Sequence, residues 1–173
     1  KTEAGLVHKT EGTALVGVSD ANLLQAQQVA GKLGIDKAYD DHRALIDESD
    51  LDCLLVVTPT YTHAQITVDA ANAGLHIFCE KPIDFDLTRI DQALDAVEEA
   101  GVKLQVGFNR RFDSNCQNVR RMVAEGKIGS PHILRITSRD PEPPSLSYIK
   151  ESGGMFLDMT IHDFDMARYL LGS

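Results

Sequence analysis

Apolar runs alternate with helical patterns along the first hundred residues, and this rhythm constrains the fold more than any other feature of the sequence. Several of the runs are continuously apolar, which is typical of parallel strands buried on both faces. Predicted strands cover residues 14–20, 51–60, 75–82 and 102–108, and predicted helices cover residues 21–34, 41–49, 62–74 and 86–101. Parallel strands connected by helices form a doubly wound α/β sheet, which is the fold class we expect.

The rhythm changes after residue 109. The later part is predicted to contain, in order, a helix at 114–129, a half-exposed alternating strand at 131–140, a proline-rich loop at 141–148 and a helix within 153–172. We therefore expect a first domain over residues 1–109 and the beginning of a second α/β domain over residues 110–173.

The charge balance excludes some classes of partner. Acidic residues outnumber basic ones by 26 to 17, giving a net charge of −9. Nucleic acids and anionic membranes both select concentrated positive charge, so neither is the expected partner. No apolar run approaches the ~18 residues that would indicate a membrane span, and no secretory signal opens the sequence. Three cysteines without C-x-x-C spacing argue against a disulfide framework, so we expect a reducing, cytoplasmic location.

Polar residues follow the predicted strands at the points where these strands end. They are Asp20, then Thr58-Pro59-Thr60, then Glu80-Lys81-Pro82, then Asn109-Arg110-Arg111. In open parallel sheets, ligands bind outside the carboxyl ends of the strands. The sequence therefore predicts a binding site at this edge of the sheet.

Asp20 has two interpretations. In dinucleotide-binding folds, an acidic residue at such a strand end hydrogen-bonds the ribose hydroxyls and disfavours a 2′-phosphate. The alternative is an N-cap for the following helix, and Asp20 by itself does not separate the two. No arginine follows closely to hold a 2′-phosphate, which favours NAD over NADP. The sequence contains no G-x-G-x-x-G phosphate loop.

Lys81 and His63 are ambiguous when each is taken alone. Lys81 ends a predicted buried strand, and Pro82 restricts it to extended geometry over the sheet edge. That placement suits a catalytic group, whereas the alternative is a solvated lysine at a strand end. His63 stands at the start of a predicted helix, where a surface or capping histidine is the alternative to a functional one.

Three polar residues recur in GGMFLDMTIHDFDMARYLLG, at residues 153–172. Asp158, His162 and Asp165 have i, i+4 and i+7 spacing, so a continuous helix would place them within an arc of about 60°. A solvated helix face is one interpretation, which the apolar flanking residues disfavour. A metal site is the second. The third is an acid–base site in which carboxylates orient His162, and the spacing alone does not choose among them.

Four segments taken together resemble one family. TPTYTH (58–63), CEKPIDFDL (79–87), VGFNRRFD (106–113) and GGMFLDMTIHDFDMARYLLG (153–172) are similar, in this order, to motifs of the glucose–fructose oxidoreductase/inositol dehydrogenase (Gfo/Idh/MocA) family. The last two are most similar to its inositol 2-dehydrogenases. The resemblance implies an NAD(P)-binding Rossmann-like domain, whose first strand and glycine-rich loop are absent from this sequence. An α/β domain with a large open sheet, through which members commonly assemble, would follow.

The resemblance also implies an activity and the residues that perform it. The activity is NAD-dependent oxidation of a secondary alcohol of a cyclic polyol, such as an inositol, by a homo-oligomer (dimer or tetramer). The catalytic residues would be Lys81, Asp158 and His162. Substrate contacts would come from Asn109, Arg110 and Asp165. Cofactor contacts would come from Asp20, Thr58, Pro59, Thr60, His63, Glu80 and Lys81, and no metal ligand is implied.

Two other functions stay open at this point. One is a metal-dependent isomerase or hydrolase that uses the stripe of Asp158, His162 and Asp165. The other is a truncated, non-catalytic remnant that binds no cofactor.

Overall fold

The computed structural model describes residues 2–48 and 50–172. The chain divides into two compact units, of which the first ends at Gln105 and the second begins at Val106. None of the described helices has the length and apolar character needed to cross a membrane.

The first unit alternates helices and short strands, as predicted. Its elements are α1 (Thr2–Lys9), β1 (Val18–Ser19), α2 (Leu23–Leu33), β2 (Ala38–Tyr39), α3 (His42–Ile46), β3 (Cys53–Val56), α4 (Thr60–Asn72), β4 (His76–Cys79), α5 (Leu87–Ala100) and β5 (Leu104–Val106), the strand in which the boundary between the units falls. Helix α1 and strand β2 have no counterpart among the predicted elements. The α/β class is confirmed.

The strands form two sheets. β1 pairs in parallel with β2, and β3 pairs in parallel with β4, with Cys53 opposite His76 and Val56 opposite Cys79. β5 lies on the other side of β4. These parts correspond to the 3-2 and 4-5-6 portions of the strand order 3-2-1-4-5-6 of dinucleotide-binding folds. Strand 1, which leads into the glycine-rich loop of such folds, is not among the described residues.

The core of the first unit joins the three-stranded sheet to α4. Val56 of β3 and Ile77 of β4 are almost fully buried, and they belong to one apolar cluster with Ala70 and Ala71 of α4. The small alanine side chains let the helix lie close to the sheet. Each buried valine or isoleucine contributes about 1.5–3 kcal/mol by leaving water. This packing fixes the carboxyl ends of β3 and β4, where the candidate residues stand.

The second unit is helical in its described part. Its elements are a 3₁₀ helix (Asn109–Phe112), α6 (Ser114–Ala124), α7 (Leu146–Glu151), α8 (Gly154–Asp158) and α9 (Thr160–Leu171). α6 and the 3₁₀ helix both pack against α9. Met166 of α9 is buried.

The predicted strand over residues 131–140 is wrong. This segment has no regular secondary structure, and Ile133 is 90% exposed. An alternating pattern becomes a strand only when another strand satisfies its backbone N–H and C=O groups. The described residues of the second unit include no other strand, apart from the final residue of β5.

The end of the chain also differs from the prediction. The expected proline-rich loop at 141–148 runs into α7, because the Ser145 hydroxyl caps the helix by accepting the N–H of Tyr148 at 3.3 Å. The expected continuous helix over 153–172 is interrupted at Met159. The Thr160 hydroxyl donates to the carbonyl oxygens of Met155 and Phe156, and such back-bonding bends helices.

Candidate functional site

Five of the predicted cofactor residues lie at two adjacent strand ends. Thr58, Pro59 and Thr60 follow β3, while Glu80 and Lys81 follow β4. Because β3 and β4 are parallel neighbours, the two segments lie at the same edge of the sheet. The Glu80 N–H donates to the carbonyl oxygen of Val56 at 2.9 Å and continues the pairing to this edge. The structure therefore brings these predicted residues together.

Lys81 is half-buried at the end of β4. Its backbone N–H donates to the Glu80 carboxylate at 3.2 Å, and its peptide bond to Pro82 is cis. The Glu80 carboxylate therefore holds the backbone N–H of Lys81 in place.

His63 connects the two strand-end segments. Its side chain is only 2% exposed. Its Nδ1 lies 2.8 Å from the carbonyl oxygen of Pro82, and its Nε2 lies 2.6 Å from the carbonyl oxygen of Thr58. Both ring nitrogens are therefore engaged by the protein itself. The surface-histidine alternative does not hold, and the structure gives His63 an internal role between the two segments.

The start of α4 suits a phosphate-bearing ligand. Pro59 is the N-cap of this helix and offers no side-chain acceptor to the N–H groups of the first turn. Unsatisfied N–H groups and the helix dipole make a helix N-terminus favourable for anions. The Thr62 hydroxyl donates to the carbonyl oxygen of Pro59 at 2.7 Å and lies 2.6 Å from the Thr58 hydroxyl, so both hydroxyl groups already have partners within the protein. The N-terminus of α4 is therefore the kind of group that binds a phosphate-bearing ligand.

Asp20 is exposed directly after β1. Its backbone N–H donates to the Tyr39 carbonyl oxygen at 3.1 Å, and its carboxylate accepts the Asn22 N–H at 2.8 Å. The N-cap of α2 is Asn22, whose side chain accepts the N–H of Leu24. The capping role that the sequence left open for Asp20 therefore belongs to Asn22. One carboxylate oxygen of Asp20 orders this turn, and the carboxylate as a whole stays accessible to a ligand.

The polar stripe of the second unit divides between two helices. Asp158 is the last residue of α8, whereas His162 stands in the first turn of α9. His162 is half-buried. Its imidazole ring packs edge-to-face against the ring of Phe108, with centroids 6.4 Å apart and an interplanar angle of 88°. The aromatic contact limits the orientations open to the imidazole.

Asp158 has a hydrogen-bond donor on a neighbouring helix that no sequence pattern indicates. The Tyr148 hydroxyl, on α7, donates to its Oδ1 at 2.8 Å. Tyr148 is 49% exposed, and its partial burial, followed by this hydrogen bond, raises its pKa to about 12. Tyr148 lies ten residues from Asp158 on a separate helix, so no periodic spacing could have linked the two.

Asp165 forms an ion pair with Arg111. The Nε of Arg111 donates to both carboxylate oxygens, at 3.0 and 2.9 Å, and its Nη2 also donates to Oδ1. Asp165 is 8% exposed, and its hydrogen bond raises the pKa of the Arg111 guanidinium. The Arg111 guanidinium also lies over the rings of Phe108 and Tyr169. Asp165 was predicted to contact substrate, and the structure gives its charge a partner within the protein.

Arg110 is likewise engaged within the second unit. Its Nη1 donates to Asp163 at 2.6 Å and to the Ser138 hydroxyl at 3.1 Å, and Ser138 donates to the same carboxylate. Asn109 is exposed at the start of the 3₁₀ helix. Of the residues predicted to contact substrate, Asn109 is the exposed one. Arg111 belongs to the predicted strand-end segment, whereas no pattern in the sequence gave Asp163 or Ser138 a role.

A metal site was one interpretation of the stripe formed by Asp158, His162 and Asp165, and it would require a cluster of ligand side chains. Among the residues that the structure describes, no group of three or more histidine, cysteine or acidic side chains is arranged to hold a metal ion. Tyr148 donates to Asp158, and Arg111 covers both oxygens of Asp165. Two of the three proposed ligands are thus committed to protein donors.

Two models of protein families match the chain. The description "Oxidoreductase family, NAD-binding Rossmann fold" (GFO_IDH_MocA) matches residues 1–108. The description "GFO/IDH/MocA C-terminal domain" matches residues 116–173.

Similar proteins include several inositol dehydrogenases. A myo-inositol 2-dehydrogenase from Thermotoga maritima is 48% identical over 158 residues, which are 91% of this chain and 47% of that protein. An inositol 2-dehydrogenase from Rhizobium meliloti is 46% identical over 172 residues, which are 99% of this chain and 52% of that protein. A crystal structure of scyllo-inositol dehydrogenase from Lactobacillus casei, with bound NAD(H) and scyllo-inositol, has a TM-score of 0.86 at 31% identity, covering 98% of this chain and 51% of that one. The chain thus spans about half the length of the relatives it matches.

Proposed function

The chain belongs to the Gfo/Idh/MocA family of NAD-binding oxidoreductases, and from this premise we propose that the full-length protein oxidises a secondary alcohol of an inositol or a similar cyclic polyol with NAD. The relatives named above act on inositols, and two of them are nearly half identical to this chain. The products would be the ketoinositol, NADH and a proton.

The first unit would bind the dinucleotide. Asp20 would accept hydrogen bonds from the adenosine ribose, and its charge would disfavour the 2′-phosphate of NADP. The strand-end segments carrying Thr58–Thr60 and Glu80–Lys81 would hold the rest of the cofactor, with His63 fixing one segment to the other. When bound, NAD supplies the hydride acceptor.

The second unit would supply the base. His162 would accept the proton of the substrate hydroxyl, since an imidazole changes protonation state near neutral pH. Asp158 would orient the imidazole and stabilise its protonated form. A positioned acid–base group of this kind typically contributes ~10²–10⁴-fold to the rate.

Lys81 would stabilise the reacting oxygen. As a cationic donor it would hydrogen-bond the oxygen on which negative charge develops when the proton leaves. Asn109 would contact neighbouring hydroxyls directly. Arg110 and Asp165, both held by partners in the second unit, would act there through the donor and acceptor capacity left after these contacts.

The organisation of the whole protein is part of the proposal. Residues 1–109 would belong to the dinucleotide-binding domain, and residues 110–173 would begin the substrate domain. We further infer a homo-oligomer, a dimer or a tetramer, because family members commonly assemble through the sheet of the second domain. We infer a cytoplasmic location because the three cysteines lack the spacing of a disulfide framework.

The observation that carries the proposal is the joint presence of an EKP strand end and a D-x-x-x-H pair on a chain that matches both family descriptions. The test uses the full-length protein. We expect NADH formation with myo-inositol or scyllo-inositol. The variants His162→Ala and Lys81→Ala should keep their NAD affinity and lose at least 100-fold in kcat.

Controls separate the proposal from its alternatives. His132→Ala changes an exposed histidine of the second unit and should leave kcat unchanged. Inhibition by EDTA would point to a metal enzyme. NAD that fails to raise the melting temperature would point to a non-catalytic remnant. Turnover at the wild-type rate in His162→Ala would reject the assignment of the base.

A further inference from the structure

We propose that Tyr148 is a positioning residue that holds the carboxylate of Asp158 in the orientation needed to support His162. The inference rests on the proposed function, in which Asp158 orients the base. It adds a residue that lies outside all four family-like segments and that the sequence analysis assigned to a loop.

The contact joins two separate helices of the second unit. The Tyr148 hydroxyl lies 2.8 Å from Oδ1 of Asp158. Asp158 is the last residue of α8, directly before the interruption at Met159. Tyr148 stands in the middle of α7, whose first turn is capped by Ser145. A donor on a capped helix therefore restrains a carboxylate at a helix end.

The chemistry of the pair suits a positioning role. A hydroxyl that donates to an ionised carboxylate forms a shorter and stronger hydrogen bond than a neutral pair does. Partial burial and the hydrogen bond to Asp158 raise the pKa of Tyr148 to about 12, so the hydroxyl stays protonated and can donate at neutral pH. The bond occupies one carboxylate oxygen of Asp158 and restrains the rotation of the group. A small displacement of the Asp158 carboxylate would lower the reaction rate, because this carboxylate sets the orientation of the base.

The test is a double-mutant cycle on the full-length protein. Tyr148→Phe removes the hydroxyl and keeps the ring, so we expect kcat with inositol to fall about tenfold while the KM for NAD stays unchanged. Asp158→Ala removes the acceptor. If Tyr148 acts through Asp158, adding Tyr148→Phe to Asp158→Ala should change kcat less than twofold.

A matched control removes the same kind of bond elsewhere. Tyr39, in the first unit, also donates its hydroxyl to a carboxylate, that of Glu48. Tyr39→Phe should lower the melting temperature without changing kcat. If Tyr148→Phe behaves in the same way, Tyr148 is merely structural and the inference is overturned.

Two further outcomes would also decide whether the inference about Tyr148 holds. A tenfold loss that recurs in the Asp158→Ala background would show that Tyr148 does not act through Asp158, and would overturn the inference while leaving the proposed function intact. A wild-type protein that binds NAD and oxidises no inositol would overturn the proposed function and, with it, this inference.

Discussion

Arg111 covers both carboxylate oxygens of the buried Asp165, with its Nε at 3.0 and 2.9 Å from them. The two residues lie 54 positions apart, on the 3₁₀ helix and on α9. A carboxylate that is 8% exposed is costly to bury unless its charge is compensated. The pair therefore ties the beginning of the second unit to the helix that carries His162.

Loss of the guanidinium should destabilise the protein. Arg111→Gln leaves the buried carboxylate of Asp165 without its cationic partner. Because the Arg111 side chain is itself 42% exposed, we expect a loss of about 2 kcal/mol, below the range for fully buried pairs. Urea unfolding followed by circular dichroism measures this change.

Arg120→Gln is the matched control for that measurement. Arg120 lies over the same Tyr169 ring, with its guanidinium carbon 5.9 Å from the centroid. Its loss should remove only the cation–π contact, about 0.5–1 kcal/mol. Equal losses for Arg111→Gln and Arg120→Gln would show that the ion pair with Asp165 contributes nothing specific.

His63→Ala should affect both stability and cofactor binding. The change leaves the carbonyl oxygens of Thr58 and Pro82 without their partner and opens a cavity at the buried ring, so we expect a loss of about 2–4 kcal/mol. The two strand-end segments would also lose their connection, which should raise the Kd for NAD. Calorimetric titration with NAD measures the second effect, and exposed His132→Ala is the control. Unchanged NAD affinity in a destabilised variant would limit His63 to a structural role.

Much of the fold was predictable because its signals are local. β3 and β4 were predicted from short apolar runs, although the structure buries alternate residues of each strand and leaves Cys53 and His76 exposed, so the expected burial of both faces is not complete. The strand-end placement of Thr58 and Lys81 followed from the parallel order alone.

The rest depended on partners distant in sequence. Asp158, His162 and Asp165 have helical spacing, yet the hydroxyl of Thr160 helps to interrupt the helix between the first two. The bonds from Arg111 to Asp165 and from Tyr148 to Asp158 join different helices, and no periodicity encodes them.

Acid should weaken the first unit through Glu48. Hydrogen bonds from Lys37, the larger cause, and from Tyr39 lower the pKa of the Glu48 carboxyl below its ordinary value of 4.5. A group whose folded pKa is lowered contributes stability that is present above its unfolded pKa and is lost as the pH falls through the folded pKa. Glu48→Gln should therefore be less stable at pH 7 and lose less stability between pH 5 and pH 3.

Denaturant midpoints at pH 7, 5, 4 and 3 measure this dependence. Exposed Glu99→Gln is the control and should follow the wild-type curve. If Glu48→Gln and the wild type lose stability in parallel below pH 5, the cluster of Lys37, Tyr39 and Glu48 does not cause the loss of stability in acid.

Asp20 should determine the preference between NAD and NADP. Its carboxylate follows β1, accepts only the Asn22 N–H within the protein among the bonds the structure describes, and would meet the adenosine ribose in the proposed complex. Asp20→Asn keeps the size and the acceptor oxygen and removes the charge that repels a 2′-phosphate. We expect the ratio of kcat/KM for NAD to that for NADP to fall at least tenfold, about 1.4 kcal/mol. Asp36→Asn removes the same charge from the loop before β2, at the opposite end of the parallel pair, and should leave the ratio unchanged. A ratio that stays constant in Asp20→Asn would remove Asp20 from the cofactor site.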